Sequence, residues 1–477
     1  MSGEWKPLCV DLDGTLIRTD LLLESLLILI KKRPWTVFQI PFWLLRGGRA
    51  NLKHAIAQRV NIDVELLPFQ AELVEFLKKE QASGRPLILT TASHHKFAHQ
   101  VADHLGIFAQ VHASDANCNL SGSIKRDALI QHYGTNNFDY AGNSRADFPV
   151  WSMAEHAVVV NPGLGVLQGA AARCAVSHTF VDKKATLKTW GKALRIHQWL
   201  KNLLLFLPML LAHQISQIGL WVDGLLAFIS FSLCASSVYL LNDLLDLPAD
   251  RNHPRKRLRP FASGEIPLTQ GLFFIPVLLL LAFGIAALWL PPAFLAVLAG
   301  YYLLTVSYSF WLKAAVLLDA LLLAGLYTIR IIAGMAATQI GASFWLLTFS
   351  IFLFFSLALV KRYSELLVLK QRGQLTTHGR GYHVEDLSNL MGFGVASGFM
   401  AVLVSALYIN SEKVKVLYHH PAFLWLVSPV LLYWISRIWL ITHRGGMHDD
   451  PIVFAAKDKG SWVTAAIIGG LLWLAAI

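Results

Sequence analysis

Residues 242–260 read Asn242-Asp243-Leu244-Leu245-Asp246-Leu247-Pro248-Ala249-Asp250-Arg251-Asn252-His253-Pro254-Arg255-Lys256-Arg257-Leu258-Arg259-Pro260. Asp243 and Asp246 stand three residues apart, so at a helix end both carboxylates can face one side. Pro248 breaks or kinks that helix, after which Asp250 can turn back towards the same place. Carboxylates gathered so closely repel one another unless a cation sits among them, and Mg²⁺ bridging to a pyrophosphate answers that requirement. Lys256, Arg257 and Arg259 can then neutralise charge building on a departing pyrophosphate. For the basic run alone, the plainer reading is loop charge that sets membrane topology. Acidic metal ligands beside basic phosphate ligands are more specific than either alone.

Outward from this segment the chain is apolar. Of its 477 residues 55% are hydrophobic and 15% charged, and Trp occurs 15 times. The distribution is uneven. Residues 1–195 mix charged and apolar groups as a soluble domain does, whereas long apolar runs dominate from Trp199 onward. About nine runs, near 199–214, 219–241, 271–290, 292–309, 316–337, 342–360, 389–411, 421–441 and 461–477, approach the ~20 residues that a helix needs to cross the hydrocarbon core.

The net charge of +11 resides largely between those runs, as in Arg251, Arg255, Lys256, Arg257 and Arg259. That placement favours membrane topology and phosphate binding over nucleic acid, for which no motif is present. With the N-terminus inside, the loops near 242–270, 308–315, 361–388 and 442–460 are cytoplasmic and hold nearly all the loop Lys and Arg. The opposite loops near 215–218, 291 and 338–341 hold none, and 412–420 holds only Lys413 and Lys415. The positive-inside rule is satisfied by this arrangement and violated by its inverse. Cys9, Cys118, Cys174 and Cys234 lack metal or disulfide spacing and read as free thiols. The charged opening of the chain has no secretory pattern, which predicts a cytoplasmic N-terminal domain.

Before the apolar runs, residues 7–13 read as a buried strand ending in carboxylates, with further strands expected at 86–89, 137–141 and 157–160. Helical patterns lie between them, which predicts a parallel α/β sheet with its site at the strands' C-terminal edge. Asp11-Leu12-Asp13-Gly14-Thr15 places two carboxylates at that edge. One can attack phosphorus while the other moves a proton. Gly14 permits a tight turn that brings backbone amides towards a phosphate. Leu21–Leu45 is more apolar than a surface segment should be, yet Lys31, Lys32, Arg33 and Pro34 split it into pieces too short to span a bilayer. It reads either as cap helices over the soluble site or as an interfacial pair with Trp35 and Trp43 as anchors. His94, His95 and His99 read as solvated helix residues. Residues 184–198 read as a basic, amphipathic linker.

The N-terminal half resembles the haloacid dehalogenase superfamily on four ordered pieces: Asp11-Leu12-Asp13-Gly14-Thr15, Thr91 closing the second strand, Lys125, and Gly142-Asn143-Ser144-Arg145-Ala146-Asp147. The resemblance implies a domain over 1–183 with a helical cap near 20–75. It implies Asp11 as nucleophile, Asp13 as general acid and base, Thr91 and Lys125 as phosphoryl-holding catalytic groups, and Mg²⁺ held by Asp11, Asp13, Asn143 and Asp147. Asn143 departs from the family's usual Asp, and one negative charge is lost.

The segment 242–260 resembles the first aspartate-rich motif of the UbiA superfamily of intramembrane transferases, which implies Asn242, Asp243, Asp246 and Asp250 around Mg²⁺ in a domain over 199–477. Tyr308-Ser309-Phe310-Trp311-Leu312-Lys313, with Asp319 and Arg330, sits where that family has its second acidic motif. Leu323 stands at i+4 from Asp319 where prenyl-transferring members have a second aspartate. That departure, with His253-Pro254, Lys256-Arg257 and Lys361-Arg362-Tyr363-Ser364-Glu365-Leu366, is similar to the superfamily's polyprenyl-phosphate phosphoribosyltransferases. The similarity implies substrate contacts from Lys256, Arg257, Arg259, Lys313, Asp319, Arg330, Lys361 and Glu365.

Together the resemblances imply Mg²⁺-dependent transfer of 5-phosphoribosyl from phosphoribosyl pyrophosphate to a polyprenyl phosphate. The N-terminal domain would then dephosphorylate the product at the cytoplasmic face of a bacterial inner membrane. A UbiA-type prenyltransferase using an allylic diphosphate is the enzymatic alternative, and Leu323 opposes it. A lipid-binding or transport protein with a regulatory domain is the alternative of another class. An inert N-terminal scaffold and a homo-oligomer both remain open.

Overall fold

A computed structural model describes residues 5–182, 185–373, 375, 381–447 and 450–477. Lys183 and Lys184 at the head of the expected linker, and the side chains of Lys413 and Lys415, lie outside the described residues. Contacts divide the chain into two compact units. The first is Met1–Arg195 with Tyr239–Ile275, and the second is Ile196–Val238 with Pro276–Ile477. One boundary falls inside the expected linker. The aspartate-rich segment, read from sequence as part of the membrane domain, belongs with the N-terminal unit.

The first unit is built on a six-stranded parallel sheet. Its strands are β1 (Leu8–Val10), β2 (Leu87–His94), β3 (Gln110–Ser114), β4 (Asp139–Gly142), β5 (His156–Val160) and β6 (Ala175–Phe180), in the order β3-β2-β1-β4-β5-β6. Leu8, Cys9 and Val10 are fully buried because β1 is central and covered on both faces. Strands β3 and β6 escaped the sequence reading for the converse reason. They lie at the sheet edges, and their half-exposed polar residues give no buried apolar run.

The chain leaves β1 at Asp11 and crosses to β2 on one side, while β4 pairs on the other. Such a reversal of strand order opens a crevice at the C-terminal edge. Helices α1 (Leu21–Lys32) and α2 (Ile40–Ala57) follow the Asp11–Asp13 turn as a helical cap. Asp20 caps α1 by accepting from the Leu23 amide. Gly48, at φ 61°, breaks α2 into two pieces. Three further helices, α3 (Ala71–Ala82), α4 (His95–Leu105) and α5 (Ser123–Tyr133), connect the strands.

Among the described residues, eight helices are long and apolar enough to cross a membrane. They are α6 (Ile218–Leu245), α7 (Leu268–Trp289), α8 (Pro292–Phe310), α9 (Leu318–Thr338), α10 (Phe344–Gln371), α11 (Val384–Ile409), α12 (Pro421–His443) and α13 (Lys459–Ala476). The first of the nine expected runs differs from these eight in being shorter. The stretch expected at 199–214 is a 3₁₀ segment, Ile196–Phe206, followed by one short helical turn, Leu207–Leu211. Pro208 cannot donate a helical hydrogen bond, and the chain turns out at His213, whose φ is 57°. In the second unit, α9, α10, α11 and α12 share one apolar core that includes Ala324, Leu359, Leu390 and Trp439.

Candidate functional site

Asp11 and Asp13 lie where β1 ends, and the expected partners converge on them. Lys125, from the first turn of α5, donates to Asp11 Oδ1 at 2.8 Å and to the Tyr140 hydroxyl at 2.9 Å. Tyr140 in turn donates to Asp147 Oδ1 at 2.9 Å. The other Asp147 oxygen accepts from the Asn143 and Ser144 amides at 3.1 and 2.9 Å. Asp13 Oδ1 accepts from the Leu21 amide at 3.0 Å, and its Oδ2 from the Ser93 hydroxyl at 2.5 Å. Gly14, at φ 74°, has no room for a side chain because the Asn143 amide lies over it.

Thr91 is buried and accepts from the Ser93 amide at 3.0 Å, so it shapes the turn that presents Ser93 to Asp13. Sequence reasoning missed Ser93, Tyr140 and Lys53. Lys53 reaches from α2 to the Ala92 carbonyl at 2.5 Å and the Asn119 amide oxygen at 2.6 Å. His94 is not solvated as expected. It is buried at the start of α4, with its ring 3.0 Å from His54, and burial and the neighbouring imidazoles push it down to about 4.

Burial pushes Asp11 up to about 6, against the pull of Lys125. Burial and then Asp20 push Asp13 up to about 7. A group near 7 can serve as both general acid and general base at neutral pH. Two desolvated carboxylates with Asp147 close by form an oxygen donor set that fits a hard divalent cation. Among the described residues, the one triad whose ligand atoms lie within 4.8 Å of one another is elsewhere, at Asp139, Glu155 and His156. Its carboxylates already pair with Arg85 and Lys6.

The aspartate-rich segment begins on the last turn of α6. Asp243 is buried and accepts from Arg195 and, at 3.1 Å, from Arg259. Arg259 also donates to Asp250 at 2.6 Å, so one guanidinium joins two of the three aspartates. Asp246 Oδ1 accepts from Lys31 of the cap at 2.6 Å. Asn242 is half-buried, and Lys256 and Arg257 are exposed. Burial raises the Asp250 carboxyl, opposed by Arg259. Lys31 and Arg195 were not anticipated, because each comes from a distant part of the chain.

A second tie joins the cap to this segment. Arg251 donates to both Glu24 oxygens at 2.5 and 3.1 Å, and both side chains are almost fully buried. Removing one member of such a pair strands the other charge at a cost of about 3–5 kcal/mol, whereas replacing both with apolar groups costs far less. Glu24→Met and Arg251→Met are therefore each expected to lower the thermal unfolding midpoint of the detergent-solubilised protein, and the double substitution to recover most of the loss. Additive losses would show that the charges act independently.

In the second unit the expected residues separate into clusters. Asp319 is fully buried and accepts from Arg362 Nε at 2.5 Å and from Tyr382 Oη at 2.5 Å. Arg362 also donates to Glu365 at 2.7 Å and to Tyr308 at 3.3 Å. Tyr382 accepts the Leu317 amide at 2.9 Å, where Leu317 takes φ 62°. Such a conformation costs a branched residue of order 1–3 kcal/mol and persists where surrounding contacts enforce it.

Arg330 donates to Asn202 at 2.8 Å and lies 5.4–5.5 Å from the rings of Phe231, Tyr301 and Tyr327. Lys361 joins a group that sequence reasoning missed: Asp450 accepts from Lys201 at 3.0 Å and Lys361 at 3.3 Å. Burial raises Asp450, but the two lysines outweigh it and hold the carboxyl well below its usual range. Two cations on one carboxylate leave net positive charge for a further anion. Lys313 is half-buried on the turn Leu312–Ala314.

Among the described residues these features define a chain with eight long apolar helices and a parallel α/β unit that carries paired carboxylates at its strand edge. The chain belongs to the UbiA prenyltransferase family, which it matches over residues 203–457. The uncharacterized protein y4nM of Sinorhizobium fredii is 37% identical over 475 residues, covering 98% of this chain and 91% of that protein. Nodulation protein NoeC of Azorhizobium caulinodans is 37% identical over 300 residues, 61% of this chain and 94% of its own. Decaprenyl-phosphate phosphoribosyltransferase of Mycobacterium tuberculosis is 36% identical over 187 residues, 38% of this chain and 61% of its own. Eight long apolar helices and family membership make the chain an integral membrane protein.

Proposed function

We propose that the protein transfers 5-phosphoribosyl from phosphoribosyl pyrophosphate to a polyprenyl phosphate, and that its N-terminal unit then removes the 5-phosphate from the lipid product. The observation that carries the first step is the aspartate-rich segment with its interleaved cations: Asp243, Asp246 and Asp250 with Arg259, Arg195 and Lys31. That charge pattern suits a pyrophosphate accompanied by a hard cation. The named mycobacterial relative supports ribosyl over prenyl transfer, as does Leu323 at i+4 from Asp319.

In the transfer, a phosphate oxygen of the lipid forms a bond to ribose C1 as the C1–O bond to pyrophosphate breaks. The acceptor is already an anion, so it needs no general base. Charge neutralisation by Arg259, Arg195 and Lys31 and positioning of the two anions supply the rate. Mg²⁺ held by Asp243, Asp246 and Asp250, with Asn242 beside them, would neutralise pyrophosphate charge. Arg330, Lys361, Lys313 and Glu365 are proposed substrate contacts, and Asp319 acts by holding Arg362.

In the second step, Asp11 attacks the 5-phosphate while Asp13 protonates the departing sugar oxygen. Water deprotonated by Asp13 then cleaves the phospho-aspartate, releasing phosphate. Lys125 holds Asp11 and offsets phosphate charge. Mg²⁺ held by Asp11, Asp13, Asn143 and Asp147 would neutralise the phosphoryl oxygens. The proposed setting is the cytoplasmic face of a bacterial inner membrane, which the charge of the loops supports.

The test supplies purified protein with ribose-labelled phosphoribosyl pyrophosphate, a polyprenyl phosphate and Mg²⁺, and follows label into lipid. Transfer of label supports the reading. Turnover of an allylic diphosphate without ribosyl transfer would restore the prenyltransferase alternative.

A pH dependence follows from the raised carboxyls. Their folded-state values of about 6 and 7 stand above the ordinary 3.8, so their protonation stabilises the metal-free fold. That contribution is complete below about 3.8 and is lost as pH rises through 6 to 7. Cation binding there must displace these protons. Calorimetric titration of Mg²⁺ at pH 6, in buffers of different ionisation heat, is expected to show proton release that is absent at pH 9 and reduced in Asp13→Asn. Equal release at both pH values would remove Asp11 and Asp13 as ligands.

A further inference from the structure

Helix α1 carries two ties to the segment that leaves the membrane, Glu24–Arg251 and Lys31–Asp246. Asp246 immediately follows Leu245, the last residue of α6, a helix long and apolar enough to cross a bilayer. The C-terminal end of α1 is thereby held at the depth where α6 ends, which is the headgroup layer.

The chain beyond Lys31 is unlike the rest of the N-terminal unit. Trp35 and Phe38 are each 73% exposed and Leu45 87%, with Val37, Phe42 and Leu44 also exposed. Soluble surfaces rarely gather so many large apolar side chains within a few turns. Trp35 and Phe38 stack with ring centroids 6.4 Å apart. Lys32, Arg33, Arg46 and Arg49 are exposed at the two ends of the stretch, and Arg46 lies over the Phe42 ring at 4.1 Å. Gly48 ends the apolar piece by breaking α2. Trp43 is buried and stacked under Arg59, so it belongs to the cap core and not to this surface.

We infer that residues 33–49 form a monotopic anchor, seated in the headgroup layer of a bilayer that contains anionic lipid. The aromatic and aliphatic side chains enter the acyl boundary to a depth of about 5–10 Å, while the basic ends meet lipid phosphates. A second copy of the chain would cover the apolar groups equally well but would leave the basic rim without a counter-charge. The anchor holds the cap of the Asp11–Asp13 site at the lipid surface whichever group the protein transfers.

The full-length protein, with Cys118→Ser and either Phe38→Cys or Leu45→Cys carrying an environment-sensitive dye, is reconstituted into vesicles of phosphatidylcholine and phosphatidylglycerol. Brominated lipids are then added as quenchers. Both dyes are expected to lose most of their fluorescence, while a dye at Leu164→Cys, an exposed site remote in sequence from the cap, loses none. Combined Arg33→Glu, Arg46→Glu and Arg49→Glu substitutions are expected to reduce the quenching. Dyes at 38 and 45 that stay as bright as the control would overturn the inference. Energy transfer between labelled copies without lipid quenching would assign the surface to self-association and overturn it too.

Discussion

Asp246→Asn is expected to lower the rate of label transfer from phosphoribosyl pyrophosphate to lipid by about 10²–10³-fold, the loss typical when one preorganised charge is removed from a developing anion. Among the three aspartates it is the most informative to change. Asp243 and Asp250 are buried and share Arg259, so neutralising either one disturbs folding as well as chemistry. Asp246 is half-buried and meets Lys31 at its outer edge, so an amide should leave the fold intact. The thermal midpoint of Asp246→Asn is expected to match wild type while transfer collapses. If transfer persists within a few-fold, the aspartate-rich segment is not where pyrophosphate departs.

The second large effect falls on the other chemistry. Asp11→Asn should leave label transfer intact and should leave the 5-phosphate on the lipid product. Loss of a nucleophile costs at least about 10⁴-fold where the catalytic groups act as a unit. Lys125 would keep its bond to Tyr140, so the network around Asp147 survives the change. Phosphate release and the mobility of the labelled lipid on a thin-layer plate report the result. Free phosphate appearing at the wild-type rate would make the N-terminal unit a scaffold in this reaction. Accumulation of the phosphorylated lipid in Asp11→Asn, with none formed in Asp246→Asn, would fix the order of the two steps.

Much of this architecture was legible in the sequence because its signals are local. Asp11-Leu12-Asp13 follows a short apolar run, and such a run at the centre of a parallel sheet is buried on both faces. The long apolar spans announce themselves by length alone, and the one that is not a long α-helix, 199–214, contains Pro208 and is the shortest. The edge strands β3 and β6 were invisible because edge residues need no apolar period. The partners of the aspartates were harder still. Lys31 and Arg195 act on residues 215 and 48 positions away, and nothing near them in sequence marks them. One signal was available: Glu24 is an acid inside the apolar helix Leu21–Lys32, and a buried carboxylate requires a cation. Glu24 and Lys31 are two helical turns apart, so they share a face. Asp319 is legible beforehand only as a carboxylate beside a span, and the fold reveals Arg362 and Tyr382 already attached to it.

The Glu24–Arg251 pair also bears on biogenesis. Glu24 leaves the ribosome long before Arg251, and the apolar segment Ile196–Leu211 and α6 must first enter the bilayer as a pair that returns the chain to its starting side. If α6 inserted in the wrong orientation, Arg251 would emerge on the opposite side from Glu24, and both charges would remain without their partner. The pair therefore acts as a check on membrane topology, rewarding only the insertion that returns the chain to the side it started from. A misinserted chain would expose an unfinished cap, the state that quality-control proteases recognise.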